Sequence, residues 1–369
     1  MQTELSNELK RVDSLDIESV MERLRYFKQA QVLRVAAVDV MKVLPLMKVS
    51  DQLSWIAESI LECSFQVAWH MLVDKHGEPG YHTENGDRQT AKFCIAAYGK
   101  LGGLELSYGS DLDIVFLHNS QGKQQQTNGS KPISNEVFFA RLAQRIVHIL
   151  STFTPSGRLY EIDTRLRPNG NSGLLVSSIA SFEQYQLDSA WPWEHQALLR
   201  ARAVAGDDTL MSDFEVLRHR IVQRPREPKA LMEAVLLMRE KMWSSYTHSQ
   251  ANGLHLKKDP GGITDIEFIV QYLVLAHAHQ YPSLSTYSDN VRLLECLSQH
   301  QLISKADAQE LTTIYCAFRD KLHQQILQNG SSQTQDTEYL AYSEQVRSIW
   351  QKVFKTPAVT EVIEAQGIR

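Results

Sequence analysis

At 369 residues the chain exceeds one ordinary hydrophobic core of about 100 to 200 residues, and it reads as two or three packed units. Lys and Arg total 38 against 43 Asp and Glu, a formal charge of −5, which argues against a nucleic-acid partner, since that would call for a broad basic excess. No run approaches the roughly 18 apolar residues of a membrane span, and the opening MQTELSNELKRVDSLD lacks a basic segment followed by an apolar one, so the expected setting is cytoplasmic with no membrane partner.

From about Leu15 to Gly77 the pattern is helical, with Leu53, Ile56, Ile60, Cys63 and Val67 at spacings of three and four. GEPGYHTENGD, Gly77 to Asp87, is dense in turn formers and predicts a linker or exposed loop. FCIAAY (Phe93 to Tyr98) and LDIVFL (Leu112 to Leu117) are short apolar runs bounded by glycines, as expected of buried strands. The polar stretch Asn119 to Pro132 predicts a surface loop. A helix is expected over about 135 to 153 and a strand over 159 to 166.

Beyond about Asp207 helices dominate. Leu311, Ile314, Tyr315, Phe318, Leu322 and Ile326 form one helical stripe, and Leu231, Val235, Met238 and Met242 form another, both read as bundle core. NGSSQTQDT, from Asn329, reads as a loop between helices. Cys63, Cys94, Cys296 and Cys316 contain no CxxC pair, which predicts reduced core residues and neither a zinc site nor a disulfide framework. The expected architecture is α+β: a helical arm over 1–85, a small mixed-sheet unit over 86–210 and a helical bundle over 211–369.

One stretch, YGKLGGLELSYGSDLDIVFLH from Tyr98 to His118, carries chemistry. Residues two apart on a strand share a face, so Asp111 and Asp113 project together while Leu112, Ile114 and Phe116 project into the core. Paired carboxylates repel unless a cation sits between them, and their hard oxygens suit Mg²⁺ or Mn²⁺. Gly109 and Ser110, directly upstream, let the backbone approach a ligand and offer amide and hydroxyl donors for a phosphate. An isolated DxD ordinarily marks only a polar strand end; a Gly-Ser turn before it and a strand on each side point to a nucleoside triphosphate with metal.

A metal pair needs ligands from more than one element. In RLYEIDTRLRP, Glu161, Asp163, Arg165 and Arg167 alternate with apolar or small residues, making Asp163 the candidate third ligand and Arg165 and Arg167 candidate phosphate partners. Lys100, Gly102 and Gly103 are read as a second part of the nucleotide loop, although Gly-Gly before a short helix is also an ordinary turn. Helical spacing in WEHQALLRAR sets Trp193, Gln196 and Arg200 on one face, where Arg200 either reaches a triphosphate or orders the loop beneath it. Thr264 and Glu267 have the spacing of a capping box, and Asp265 that of a first-turn acid favoured by the helix dipole.

YGKLGGLELSYGSDLDIVFLH, YEIDTRLRPNGNSGLL, AWPWEHQALLRARAV and DPGGITDIEFIVQYLVL, in this order, together resemble glutamine synthetase adenylyltransferases, bifunctional regulators of bacterial nitrogen assimilation. The resemblance spans roughly Lys92 to the C-terminus and is to the C-terminal, AMP-adding half of these tandem enzymes. It implies a polymerase-β-like nucleotidyltransferase fold followed by a helical domain, transfer of AMP from ATP to a tyrosine of glutamine synthetase, two Mg²⁺ ions, and regulation by glutamine and a PII-type signalling protein. Carried over by residue, it implies Asp111, Asp113 and Asp163 as metal ligands and Gly109 and Ser110 as the phosphate turn. Competing expectations are phosphorolytic removal of AMP, transfer of another nucleotide on the same fold, and a non-catalytic ATP-sensing module.

Overall fold

A computed structural model describes residues 4–5, 16–245, 253–328, 330 and 332–354. Leu15, most of the opening N-terminal stretch, and Asn329 and Ser331 of the expected loop lie outside these residues. The chain divides into two compact units, Met1–Ile221 and Val222–Arg369.

The first unit opens with helices α1 (Ile17–Val40) and α2 (Leu46–His76). Asp16 caps α1 by accepting a hydrogen bond from Ser19 N at 3.2 Å, satisfying one of the amides that a helix start leaves over. Then come β1 (Pro79–His82), β2 (Arg88–Thr90), β3 (Phe93–Ala97), the single turn α3 (Gly99–Gly102), β4 (Leu112–His118), β5 (Lys123–Thr127) and α4 (Asn135–Ser151). They are followed by β6 (Ile162–Asp163), β7 (Val176–Ser178), α5 (Ile179–Asp188), α6 (Pro192–Leu199), β8 (Arg202–Gly206) and α7 (Asp208–Val222), the last ending at the unit boundary.

The central sheet has the order β6-β4-β3-β8, with β7 also pairing to β4. Its β3–β4 and β3–β8 pairs are antiparallel, whereas β6 and β7 run parallel to β4, so the sheet is mixed as expected. Both faces are covered. Phe93, Ile95, Leu112, Ile114 and Phe116 join a core with α1, α2 and α4, and Cys94, Ala96, Val115 and Leu117 join a second core with Phe182, Leu198 and Phe214. Burial on both faces explains the near-continuous apolar runs of these two strands. On the first face Phe93 lies with its ring centroid 5.7 to 5.8 Å from those of Phe65, Phe116 and Phe139, an aromatic cluster that adds directional contacts to area burial.

Two loop expectations give way to strands. Tyr81 is buried, and β1 pairs antiparallel with β2 and with β5, making a second sheet in which the turn formers Thr83 to Asp87 connect a hairpin. Lys123 to Gln126 are exposed, so these residues form a strand through backbone pairing without any hydrophobic alternation to announce it. Asn135 at the start of α4 ties this sheet down, its Nδ2 donating to Gly80 O at 2.9 Å.

In the second unit α8 (Pro228–Ser244), α9 (Ile263–His277), α10 (Asn290–Gln299), α11 (Lys305–Leu327) and α12 (Thr337–Phe354) are joined by a ribbon of Leu254–His255 with Gln333–Thr334. The expected stripes are shorter than the sequence suggests. Leu311, Ile314, Tyr315 and Phe318 are buried, but Leu322 is half-buried and Ile326 exposed, and on α8 Met242 is exposed while Leu231 and Val235 are buried. Arg239, one residue past Met238, is buried instead, and its Nε donates to Asp265 Oδ1 at 2.5 Å.

Asp265 is therefore more than a first-turn acid. It also accepts from Gly261 N at 2.6 Å, clamping α8 to the turn before α9. The capping box at Thr264 does not form. Gly262 is the N-cap, and Thr264, already inside the helix, turns its hydroxyl to Lys257 O at 2.8 Å. No described helix is long and apolar enough to cross a membrane, and none of the four cysteines is in a disulfide, three of them being buried.

Candidate active site

The charged end of β4 is where the two cores stop. Leu112 is buried, but Asp111 lies just before the strand and exposed, and Asp113 lies half-buried at its second position. The same face of β4 is covered further along by Val115 and Leu117, so the aspartates face out only because the strand ends there. β6 lies parallel to this end, with Leu112 N donating to Glu161 O at 2.9 Å and Asp113 opposite Asp163. Carboxylate oxygens of Asp111, Asp113 and Asp163 all come within 4.8 Å of one another.

β6 stops at Asp163, so the alternation expected through Arg167 is not a strand face. Arg165 N donates back to Asp163 Oδ1 at 2.8 Å and its guanidinium grips both carboxylate oxygens, a tight local turn. The Arg165 guanidinium holds the Asp163 carboxyl below its usual range, and Asp163 in turn raises Arg165, with Asp113 and Asp111 adding to that pull. Arg165 is the arginine closest in charge to the triad. Arg167 instead braces its own loop, donating to Thr164 O at 2.8 Å, Thr164 Oγ1 at 2.9 Å and Gly173 O at 3.3 Å.

The glycine-rich turn closes the site from the other side. Gly99 starts α3 with φ +56°, and a Cβ there would stand 2.4 Å from Asp113 Oδ2. This backbone approach was not anticipated from the sequence, where Gly99 looks like any turn glycine; its only signal is that it begins GKLGG. Gly109 also has a left-handed φ, +68°, but a Cβ there would meet nothing within 4 Å, as suits a turn open to a ligand. Buried Ser110 accepts from Ser107 N at 3.2 Å and bonds Ser107 Oγ at 2.7 Å, and Lys100 Nζ lies 3.4 Å from both hydroxyls. Lys100, Ser107 and Ser110 thus form one polar cluster beside the aspartates, and Ser107 is a second residue that sequence spacing did not single out.

The turn is supported from below. Gly103 lies against the Arg200 guanidinium, and Arg200 is buried in an ion pair with buried Glu105. Arg200 is the C-cap of α6 and Arg202 the first residue of β8; Arg202 Nη2 donates to Leu101 O at 3.3 Å. Tyr108, just ahead of Gly109, donates from its hydroxyl to Asp39 Oδ2 at 3.1 Å, anchoring the Gly-Ser turn to α1.

Three carboxylates thus stand beside a glycine-rich turn and a Lys100, Ser107 and Ser110 cluster. A model of the family described as glutamate-ammonia ligase adenylyltransferase matches residues 1–216, more than half of the chain. The chain belongs to this family. A second model, described as GlnD PII-uridylyltransferase, matches residues 232–346 in the helical unit. The chain is 50% identical over 355 residues to a bifunctional glutamine synthetase adenylyltransferase/adenylyl-removing enzyme of Thioalkalivibrio sulfidiphilus, covering 96% of this chain and 36% of that protein. It is 49% identical over 359 residues to the protein of the same name from Hahella chejuensis, covering 96% and 37%. The chain thus spans little more than a third of the length of these relatives of the glutamate-ammonia ligase adenylyltransferase family.

Proposed function

We propose that this chain is an adenylyltransferase that moves AMP from ATP to a tyrosine hydroxyl of glutamine synthetase and releases pyrophosphate. The observation that carries the reading is the convergence of Asp113 and Asp163 from two paired strands, and of Asp111 from the residue before β4, beside the Lys100, Ser107 and Ser110 cluster. In this reading residues 86–210 form the nucleotidyltransferase domain, 1–85 its helical arm and 211–369 the bundle. Glutamine and a PII-type protein are the proposed regulators, the second in keeping with the uridylyltransferase-like helical match.

The donor set fits a hard divalent cation: it is all oxygen, anionic, and drawn together closely enough that mutual repulsion calls for a counter-charge. Asp111, Asp113 and Asp163 would hold two Mg²⁺ ions, or Mn²⁺, in a two-metal arrangement. Bound there, the ions would supply Lewis-acid stabilisation of charge on the phosphates and the attacking oxygen.

The chain's own residues do the rest. A tyrosine phenol with pKa about 10 is ionised only about once in a thousand molecules at neutral pH, a deficit of about 4 kcal/mol. An ordinary aspartate lies about 6 units below that, and Arg165 lowers Asp163 further. Asp163 is therefore a weak base, and its oxygens serve by accepting the phenol hydrogen bond and taking the proton late, as the oxygen bonds to phosphorus. Gly109, Ser110 and Lys100 hold phosphate oxygens through an amide, a hydroxyl and an ammonium, and Arg165 is poised to add a guanidinium. Gly103 and Arg200 keep the turn in place from beneath, and Arg167 does the same for the loop that follows Asp163.

Mass spectrometry of glutamine synthetase after incubation with this chain, ATP and Mg²⁺ tests the reading. One AMP gained on a tyrosine with the wild-type chain and not with Asp113→Asn is the expected result. No gain with either, together with formation of ADP from adenylylated target and phosphate, would assign the opposite direction. Metal-dependent ATP binding with neither reaction would assign a nucleotide sensor.

A further inference from the structure

A second concave site lies in the first unit, between α2 and α4, with none of its lining residues among the triad or the residues bonded to it. The cavity has a volume of about 580 Å³, within the size range of pockets that take metabolites. α4 contributes Arg141, Gln144, Arg145 and His148, which at i, i+3, i+4 and i+7 make one stripe of the helix. α2 contributes Lys75 and His76, with Leu72 one turn earlier as part of an apolar floor.

The charge of this lining is one-sided. It holds two arginines, a lysine and two histidines but no acid. Among the described residues no carboxylate pairs with Lys75, Arg141 or Arg145. Arg141 Nη1 points instead at Nε2 of buried His76, 3.3 Å away, and His76 Nδ1 lies 2.8 Å from Lys131 O. A carbonyl only accepts, so Nδ1 carries the proton and Nε2 is the acceptor, which fixes the arginine without neutralising it. Arg145 Nη1 lies 3.3 Å from Met71 Sδ, a weak acceptor that neutralises nothing either.

Arginines four apart on one helix, facing a lysine of the next helix, weaken the packing unless something anionic lies among them. The fork geometry of guanidinium groups matches carboxylate and phosphate oxygens equally well. We propose that this pocket is an anion-binding site distinct from the aspartate triad, taking a small polyanion whose carboxylate or phosphate groups lie between Arg141, Arg145 and Lys75. Its volume of about 580 Å³ has room for more than a lone inorganic ion, so a multiply charged metabolite fits. His148 and Gln144 add hydrogen-bond donors at the rim.

Calorimetric titration of the whole chain in metal-free buffer at fixed low ionic strength tests this, with citrate and pyrophosphate as separate probes. Saturable binding is expected, weakened at least tenfold in Arg141→Gln/Arg145→Gln and unchanged in Asp111→Asn/Asp113→Asn. Citrate as the tighter probe marks the ligand as a carboxylate, and pyrophosphate marks it as a phosphate. Arg141 is exposed and Arg145 half-buried, so the double variant should keep the wild-type circular dichroism, and Lys75→Gln should give a smaller loss of binding on the same fold. Failure of both probes to bind, binding that survives in the double arginine variant, or binding abolished by the aspartate variant would overturn the proposal.

Discussion

Asp113 and Asp163 are register partners on neighbouring parallel strands, so backbone pairing and not a loop sets the spacing of the second and third carboxylates. The same strand pair is pinned at its base by Leu112 N to Glu161 O, and Tyr98 N donates to Asp113 O at 2.8 Å on the other side. Asp113 is held by strands on both flanks, which is the rigidity a metal ligand requires. Conversion of Asp113 to Asn keeps shape and hydrogen bonding but removes the anion. We expect transfer to fall by more than about 100-fold, the upper end of what even an outer-shell change around a metal produces, with an unchanged melting temperature in metal-free buffer. Retained activity in a steady-state AMP-transfer assay would remove the carboxylate from the reaction.

Three carboxylates gathered around the single guanidinium of Arg165 still carry excess negative charge, so the metal-free site should reduce stability to support function. Asp111 is the exposed member, and Asp111→Asn should leave the metal-free chain equally stable or slightly more so, by a few tenths of a kcal/mol. Mg²⁺ or Mn²⁺ should raise the melting temperature of the wild type through binding linkage, and chelation should reverse it. Thermal scans of both proteins across a metal titration check this, and an equal rise in the variant would contradict the site.

Gly99 and Gly109 separate two roles of a left-handed glycine. At either position alanine imposes about 1 to 2 kcal/mol of backbone strain. At Gly99 the new methyl would also strike Asp113 Oδ2 at 2.4 Å, whereas at Gly109 it meets nothing within 4 Å. Gly99→Ala should therefore weaken the metal-induced thermal shift at least tenfold in metal concentration, and Gly109→Ala should lower stability by a similar amount while leaving that shift intact.

Much of this arrangement is visible in the sequence. The apolar runs around Phe93 and Leu112 are continuous because both faces of the sheet are covered, and the interruption at Asp111 and Asp113 stands out against them. Other features are invisible for physical reasons. Lys123 to Gln126 form a strand through main-chain bonds that side-chain periodicity does not encode. The alternation of Glu161 to Arg167 looks like a strand, yet Arg165 finds a better partner by folding back on Asp163 than by continuing the pleat. Glu105 gives no sign of being the buried partner of Arg200, 95 residues away, because that pairing depends on tertiary structure alone.

That pair makes its own prediction. Arg200 and Glu105 are each almost fully enclosed, so removing one partner strands a buried charge, and Arg200→Met should cost about 3 to 5 kcal/mol. Replacing both, as Arg200→Met/Glu105→Leu, should recover most of it. Urea melts of the single and double variants check this; a single variant as stable as wild type, but inactive, would instead make Arg200 a direct phosphate ligand.

His118, the last residue of β4, carries the pH dependence. Its ring stacks on Phe139 at 4.6 Å and its Nδ1 accepts from Ser120 N at 3.1 Å, an arrangement that suits the neutral ring. Burial pushes its pKa down from the ordinary 6.5 to about 4. Between those values the unfolded chain binds a proton that the folded chain refuses, so this contribution is fully present above about pH 6.5 and is lost as pH falls toward 4. The full window corresponds to about 3 kcal/mol at most, and solvent relaxation around the ring lowers it. Urea melts from pH 7 to 4.5 should show stability falling steadily in the wild type, and His118→Gln, which has no proton to take up, should fall less steeply even though it starts lower. Parallel slopes for the two proteins would assign the acid sensitivity to other groups.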